Sequence, residues 1–219
     1  NIGYLRVTEE TIDYLSDTIS YITGDHSKAR EMFREDLREL RSQGMTKLVI
    51  DIRNNTGGYD EVATALTSLF TKEKMYALSL GVKNGKEIKS VDDRYVMADG
   101  EFSDLEIVVL TSMSCGSAGD GLSLYLSRLP NVTVAGLTNP SGVNQETGGE
   151  VYMPGNAIVA FPAGLILDEN GNPTYVDGET VAEQTIPMVD ADGNAYDFAY
   201  GLNWSGRIDD ERVKKYGNK

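Results

Sequence analysis

Cysteine and histidine occur once each in the 219 residues, as Cys115 and His26. A lone cysteine excludes an internal disulfide and a thiolate metal cluster. Positive charge is also scarce: 20 lysines and arginines stand against 34 aspartates and glutamates, a formal net charge of −14. Such a field repels phosphate backbones and anionic membrane surfaces, so nucleic acid is not an expected partner. No stretch approaches the roughly 18 uninterrupted apolar residues of a membrane-crossing helix, and no basic segment followed by an apolar one opens the chain. Internal repeats, low-complexity tracts and an interdomain linker are absent as well. The first residue is Asn1 rather than Met, as expected of a piece of a longer protein.

What is present is an ordinary globular composition, 40% hydrophobic and 25% charged, with length enough for a substantial core. Gly3 to Val7 reads as a strand, and Thr8 to Gly24 spaces Ile12, Leu15, Ile19 and Ile22 as a helix or helical loop. From His26 to Gln43 the apolar residues Ala29, Met32, Phe33, Leu37 and Leu40 share one helical face, and Gly44 is placed to end the helix. Leu48, Val49 and Ile50 form an unbroken apolar run, as do Ile107, Val108, Val109 and Leu110 within the Leu105 to Thr111 segment; such runs are the mark of buried, parallel strands. Helices are expected from Asp60 to Phe70 and from Ser117 to Leu129, a hairpin from Met75 to Tyr95 turning at Asn84-Gly85, and a strand from Val132 to Ala135. Strand, helix and strand thus alternate from Lys47 to Ala135, which predicts a layered α/β fold. Beyond Gly148 short strands, a loop rich in Asn, Gly, Asp and Pro, and a terminal helix from Asp209 to Tyr216 are expected.

Two glycine-bearing turns carry the chemistry. In the segment from Leu105 to Asp120 a buried strand runs through a small-residue turn, Gly116-Ser117-Ala118-Gly119, into a helix. Backbone N–H groups and the positive end of a helix dipole then face one point, so Ser117 is a candidate nucleophile with the Ala118 N–H beside it as an oxyanion donor. The plain alternative is that Ser117 caps the helix, with Asp120 completing a capping box. Cys115 occupies the position where a hydrolase elbow motif carries its first glycine, so that motif does not apply. The second turn is Asp51-Ile-Arg-Asn-Asn-Thr-Gly-Gly58, again after a buried strand and before a helix. Ligands of open α/β sheets bind at the carboxyl edge, where both turns can meet.

These two turns, together with Gly3-Tyr-Leu-Arg-Val and Gly136-Leu-Thr-Asn-Pro-Ser-Gly-Val-Asn-Gln145, resemble in order and spacing the C-terminal processing, or tail-specific, serine peptidases. The resemblance covers the first two thirds of the chain and implies a ClpP- or crotonase-like layered sheet with helices on its faces. It makes Ser117 the nucleophile, with the Ala118 N–H and a glycine N–H from Gly57 or Gly58 as oxyanion hole, and Gln145 an orienting residue. It implies an acyl-enzyme mechanism on extended polypeptide, no cofactor or metal, and an exported, extracytoplasmic site; it fixes no oligomeric state. Residues 1–219 are expected to form a single catalytic domain, and no trace of the PDZ domain that often accompanies the family is seen.

One departure from the family pattern bears on mechanism. The lysine that serves as base in the commonest branch is replaced by Ser141, and no lysine lies between Lys89 and Lys214. A second hydroxyl cannot activate the first. Three readings stay open: a tricorn-like arrangement, with a histidine from upstream and an acid matching Asp177 or Glu179; His26 folding over the site; or a cleft retained for binding, as in photoreceptor retinoid-binding repeats. Asp168, Asn170, Asn172 and Glu179 fall at calcium-loop spacing, but Pro173 stands where that loop needs glycine, so an Asx turn is expected instead.

Overall fold

The computed structural model describes residues 1–136, 138–141, 147–162, 164–173 and 184–185. The chain divides into two compact units, Asn1–Gln184 and Thr185–Lys219, and the first carries nearly all of the described structure.

The first unit is built on parallel strands. Strand β1 (Ile2–Arg6) pairs with β2 (Lys47–Asp51), β2 with β5 (Glu106–Thr111), and β5 with β6 (Val132–Gly136). Between them run helices α1 (Tyr14–Thr23), α2 (Ser27–Ser42), α3 (Asp60–Ser68) and α4 (Ala118–Ser127). Parallel neighbours must be joined by crossovers, which α2 and α4 supply. Leu48 and Ile50 of β2, Ile107 and Val109 of β5, and Val134 of β6 are all buried, against Phe33 and Leu37 of α2, Leu66 of α3, and Leu122 and Tyr125 of α4. Each such side chain contributes roughly 1.5–3 kcal/mol by leaving water. Gly44 adopts a left-handed φ of +87° and closes α2 as its position foretold.

Between α3 and β5 the chain leaves this sheet for a hairpin, β3 (Met75–Asn84) and β4 (Glu87–Val96), whose turn uses a left-handed Gly85. Strand β9 (Leu165–Leu167) adds to β3 antiparallel, and β7 (Thr147–Tyr152) pairs with β8 (Ile158–Pro162). The α/β architecture is the expected one.

Two segments differ from expectation. Helix starts only at Tyr14, because Glu10 is held in an isolated parallel bridge with Gly58 rather than in a helical turn. Within α1 the spaced apolars Leu15, Ile19 and Ile22 are 67%, 48% and 74% exposed, while Asp17 and Ser20 are buried. These inward polar groups tie down the ends of the helix: Asp17 Oδ2 accepts from the Ile12 N–H at 2.9 Å, and Ser20 Oγ donates to the Asp25 carbonyl at 2.7 Å. At the other end of the unit, Asp168 Oδ1 accepts from the N–H groups of Asn170 and Asn172 at 2.9 and 2.8 Å, an Asx turn. Glu179 and the expected helix from Asp209 to Tyr216 lie outside the described residues.

Candidate active site

Strands β2 and β5 are adjacent and parallel, with Asp51 paired to Leu110, so the turns that follow them leave the same edge of the sheet side by side. The first turn is anchored by Asp51, a buried carboxylate that accepts from Arg53 Nε at 2.9 Å, from Arg53 Nη2 at 2.7 Å and from the Tyr4 hydroxyl. Burial opposes the charge on Asp51, yet the Arg53 guanidinium holds its pKa below the usual range. Arg53 in turn offers its carbonyl to Ser112 Oγ at 2.5 Å, a first tie between the turns.

Asn55 supplies the second tie. It is fully buried; its Oδ1 accepts from the Gly57 N–H at 2.8 Å and its carbonyl accepts from the Gly116 N–H at 3.0 Å. A methyl group on Gly119 would lie 2.5 Å from Asn55 Oδ1, so the start of α4 can approach only as glycine. Gly57 makes the third tie. It has φ +98°, and a methyl placed on it would lie 2.5 Å from Ser117 Cβ and 3.1 Å from the Ala118 nitrogen.

Ser117 precedes the first residue of α4 at φ 54° and ψ −131°, a conformation foreign to side-chain-bearing residues. Its side chain makes no cap hydrogen bond, so the capping alternative does not account for it. The residue is neither sealed in the core nor fully exposed. Among the described residues the N–H groups of Gly58 and Ala118 have no hydrogen-bond acceptor, whereas that of Gly57 is taken by Asn55. A half-open hydroxyl on a strained turn, two uncommitted amides and the positive end of a ten-residue helix thus share one place.

The sequence model of Peptidase family S41 matches residues 1–182. The chain belongs to peptidase family S41. This is a family of serine peptidases. No curated protein matches the sequence. Among solved structures, the S41 chain is similar to the photosystem II D1 C-terminal processing protease, with 22% identity and a TM-score of 0.58 over 88% of this chain and 45% of that one. It is similar to mature CPAF complexed with lactacystin, with 13% identity and a TM-score of 0.63 over 98% and 51% of the two chains. A lipoprotein from Streptococcus agalactiae matches with 15% identity and a TM-score of 0.51 over 86% and 63%. The chain therefore spans 45% to 63% of the length of these proteins, and the likeness is one of fold.

Of the other residues singled out in this S41 domain, Ser141 lies beside the turn that carries Ser117. Its Oγ donates to the Cys115 carbonyl at 3.0 Å and its N–H to the same carbonyl at 2.8 Å, so its hydroxyl fastens the turn. His26 stands ahead of α2, where burial pushes its pKa down against the pull of Glu61; Arg30, Asp25 and Arg94 also act on it. Among the described residues no hydrogen bond joins it to Ser117. Gln145 and Asp177 lie outside the described residues. Asn55 and Glu10 were missed by the sequence reading, which judges burial by hydrophobicity; for Asn55 the available signal was a polar residue set inside a glycine turn, and Glu10, in Thr8-Glu9-Glu10-Thr11, carried no such signal.

Proposed function

We propose that this chain is the catalytic domain of a serine peptidase of the C-terminal processing kind, cleaving extended polypeptide through an acyl-enzyme at Ser117. The observation that carries the reading is the packing of Gly57 onto a strained, uncapped Ser117. Ser117 Oγ attacks the scissile carbonyl carbon, forming the Oγ–C bond, while the carbonyl oxygen takes the negative charge between the Gly58 and Ala118 N–H groups. We take Gly58 rather than Gly57 as the turn's donor, because the Gly57 N–H is already held by Asn55 Oδ1. Collapse of the intermediate breaks the C–N bond, and the leaving amine takes the proton given up by Ser117. Water then cleaves the acyl ester.

Proton transfer needs a base, and Ser141 is tied to the Cys115 carbonyl. The base we infer is a histidine supplied from upstream of these residues, whose own single histidine is His26, and oriented by an acid such as Asp177, in the tricorn-like manner. Substrate lies along a strand edge, where main-chain hydrogen bonds read extended peptide without regard to sequence. An extracytoplasmic location is supported by the lipoprotein among the structural neighbours, and cell fractionation tests it.

The absence of a lysine at position 141 favours one competing reading, a non-catalytic domain that binds peptide or an apolar ligand in the same cleft. Labelling of the full-length protein with a fluorophosphonate probe separates the two. The expected outcome is labelling that Ser117→Ala abolishes; an unlabelled wild type sinks the peptidase reading.

A further inference from the structure

Glu10 has no part in the chemistry above, yet it is fully buried beneath both turns. Its main chain brackets the glycine turn: the Glu10 N–H donates to the Gly57 carbonyl at 3.1 Å, and the Glu10 carbonyl accepts from the Tyr59 N–H at 2.8 Å. A methyl group on Gly58 would lie 2.3 Å from that Glu10 carbonyl oxygen. The side chain reaches further. Glu10 Oε1 accepts from Asn55 Nδ2 at 2.6 Å, and Asn55 is the residue that holds the Gly57 N–H and the Gly116 N–H. Glu10 Oε2 is buried with no hydrogen-bond partner among the described residues.

A neutral carboxyl tolerates this setting far better than a carboxylate. The charged groups facing it are acidic: Asp60 from the first turn of α3 and Glu9 from its own segment, with Asp120 of α4 and Glu10 both acting on the buried Cys115 thiol between them. Burial first, then Asp60 and Glu9, push the Glu10 pKa up to about 8 against the stabilising pull of Asn55. Ionisation leaves a charge with a single side-chain donor, and relief requires water. The Glu10–Gly58 bridge couples any movement of this segment to the Gly58 amide.

We propose that Glu10 is a positioning residue of the Ser117 site, locking the Asn55–Gly57–Gly58 relay under the nucleophile while its carboxyl carries a proton and loosening it when that proton leaves. The inference rests on the reading of Ser117 as a nucleophile served by the Gly58 amide. It makes the site shut down on the alkaline side through a group that never touches substrate.

The test compares full-length wild type, Glu10→Gln and Glu10→Ala between pH 5 and pH 10 in two measurements: the rate of Ser117 labelling by a fluorophosphonate, and thermal unfolding. Labelling of the wild type should fall above about pH 8, by up to about tenfold per pH unit for a single ionisation. Glu10→Gln keeps the acceptor for Asn55 and cannot ionise, so it should label at the wild-type rate near pH 7 without the alkaline fall. Glu10→Ala, which lacks the acceptor, should label at least tenfold more slowly throughout. Unfolding reads the same proton independently. Between the ordinary value of 4.5 and about 8 the folded state holds a proton that the unfolded state has released, so wild-type stability falls as pH rises through that window. Glu10→Gln should lose that part of the slope. An identical alkaline limb and an identical stability slope in wild type and Glu10→Gln overturn the proposal. A slope lost in Glu10→Gln with no labelling of any protein overturns the nucleophile reading and leaves the proton-dependent lock standing.

Discussion

At Gly57 two separate demands fall on one residue, and they can be measured apart. Its φ of +98° is costly for any side chain, and a Cβ there would also press on Ser117 Cβ at 2.5 Å. Gly85, in the β3–β4 turn, shares the first demand with φ +64° but has nothing within 4 Å of a would-be Cβ. Gly85→Ala should therefore cost about 1 kcal/mol in urea unfolding, the left-handed penalty alone, and leave Ser117 labelling unchanged. Gly57→Ala should cost about 2 kcal/mol or more and reduce labelling at least tenfold, because the added methyl displaces the serine it touches. Equal labelling in the two variants would mean that the glycine turn does not shape the serine's surroundings. Asn55 belongs to the same scale: one buried residue reaches three segments, its side-chain amide bonding Glu10 and the Gly57 N–H while its main-chain carbonyl accepts from the Gly116 N–H.

Among the elements, α1 makes the sharpest contrast between pattern and packing. Leu15 and Ile22 are the sort of residues that put a helix on a core, yet both stand mostly in solvent while Asp17 and Ser20 face inward. Replacing Leu15 and Ile22 together by serine should change unfolding stability by no more than about 0.5 kcal/mol each, which chemical denaturation measures directly. A loss of several kcal/mol would show that the stripe is buried after all. The comparison also marks what the sequence could and could not disclose. Strands β2 and β5 were legible because Leu48 to Ile50 and Ile107 to Leu110 are unbroken apolar runs, and α2 because its buried Ala29, Phe33 and Leu37 repeat at helical spacing. Periodicity reports that a helix forms but not which face turns inward when polar side chains can satisfy backbone groups, so α1 was half read. The meeting of the Gly57 and Ser117 turns was legible from sheet-edge geometry. Glu10 and Asn55 were not, because a buried polar residue reveals itself only through partners that are 45 positions apart.

Across the whole molecule, two electrostatic effects oppose each other, and salt decides between them. The −14 charge is an excess that cannot be neutralised within the chain and pushes the folded state apart. Against it stands a clasp between α2 and the loop before β5: Arg34 reaches Asp99 at 2.8 Å and Glu101 at 3.1 Å, Arg38 reaches Glu101 at 2.6 Å, and Arg41 reaches Asp104 at 2.8 Å while lying over the Phe102 ring. Salt weakens both effects, but not equally. Arg34 is largely shielded from solvent and its bonds are short, so added ions reach them poorly. The diffuse repulsion among exposed carboxylates acts through water and over distances longer than the roughly 3 Å Debye length of 1 M salt, so it is screened almost completely. Raising sodium chloride from 0.02 M to 1 M at pH 7.5 should therefore raise the unfolding temperature by a few degrees, as followed by calorimetry. In Arg34→Met, which leaves Asp99 and Glu101 with fewer partners and adds one to the negative excess, the unfolding temperature in low salt should drop and the rise with salt should be larger than in wild type. A fall in unfolding temperature with salt in the wild type would mean that the arginine clasp, and not the surplus of carboxylates, dominates the electrostatics of the fold.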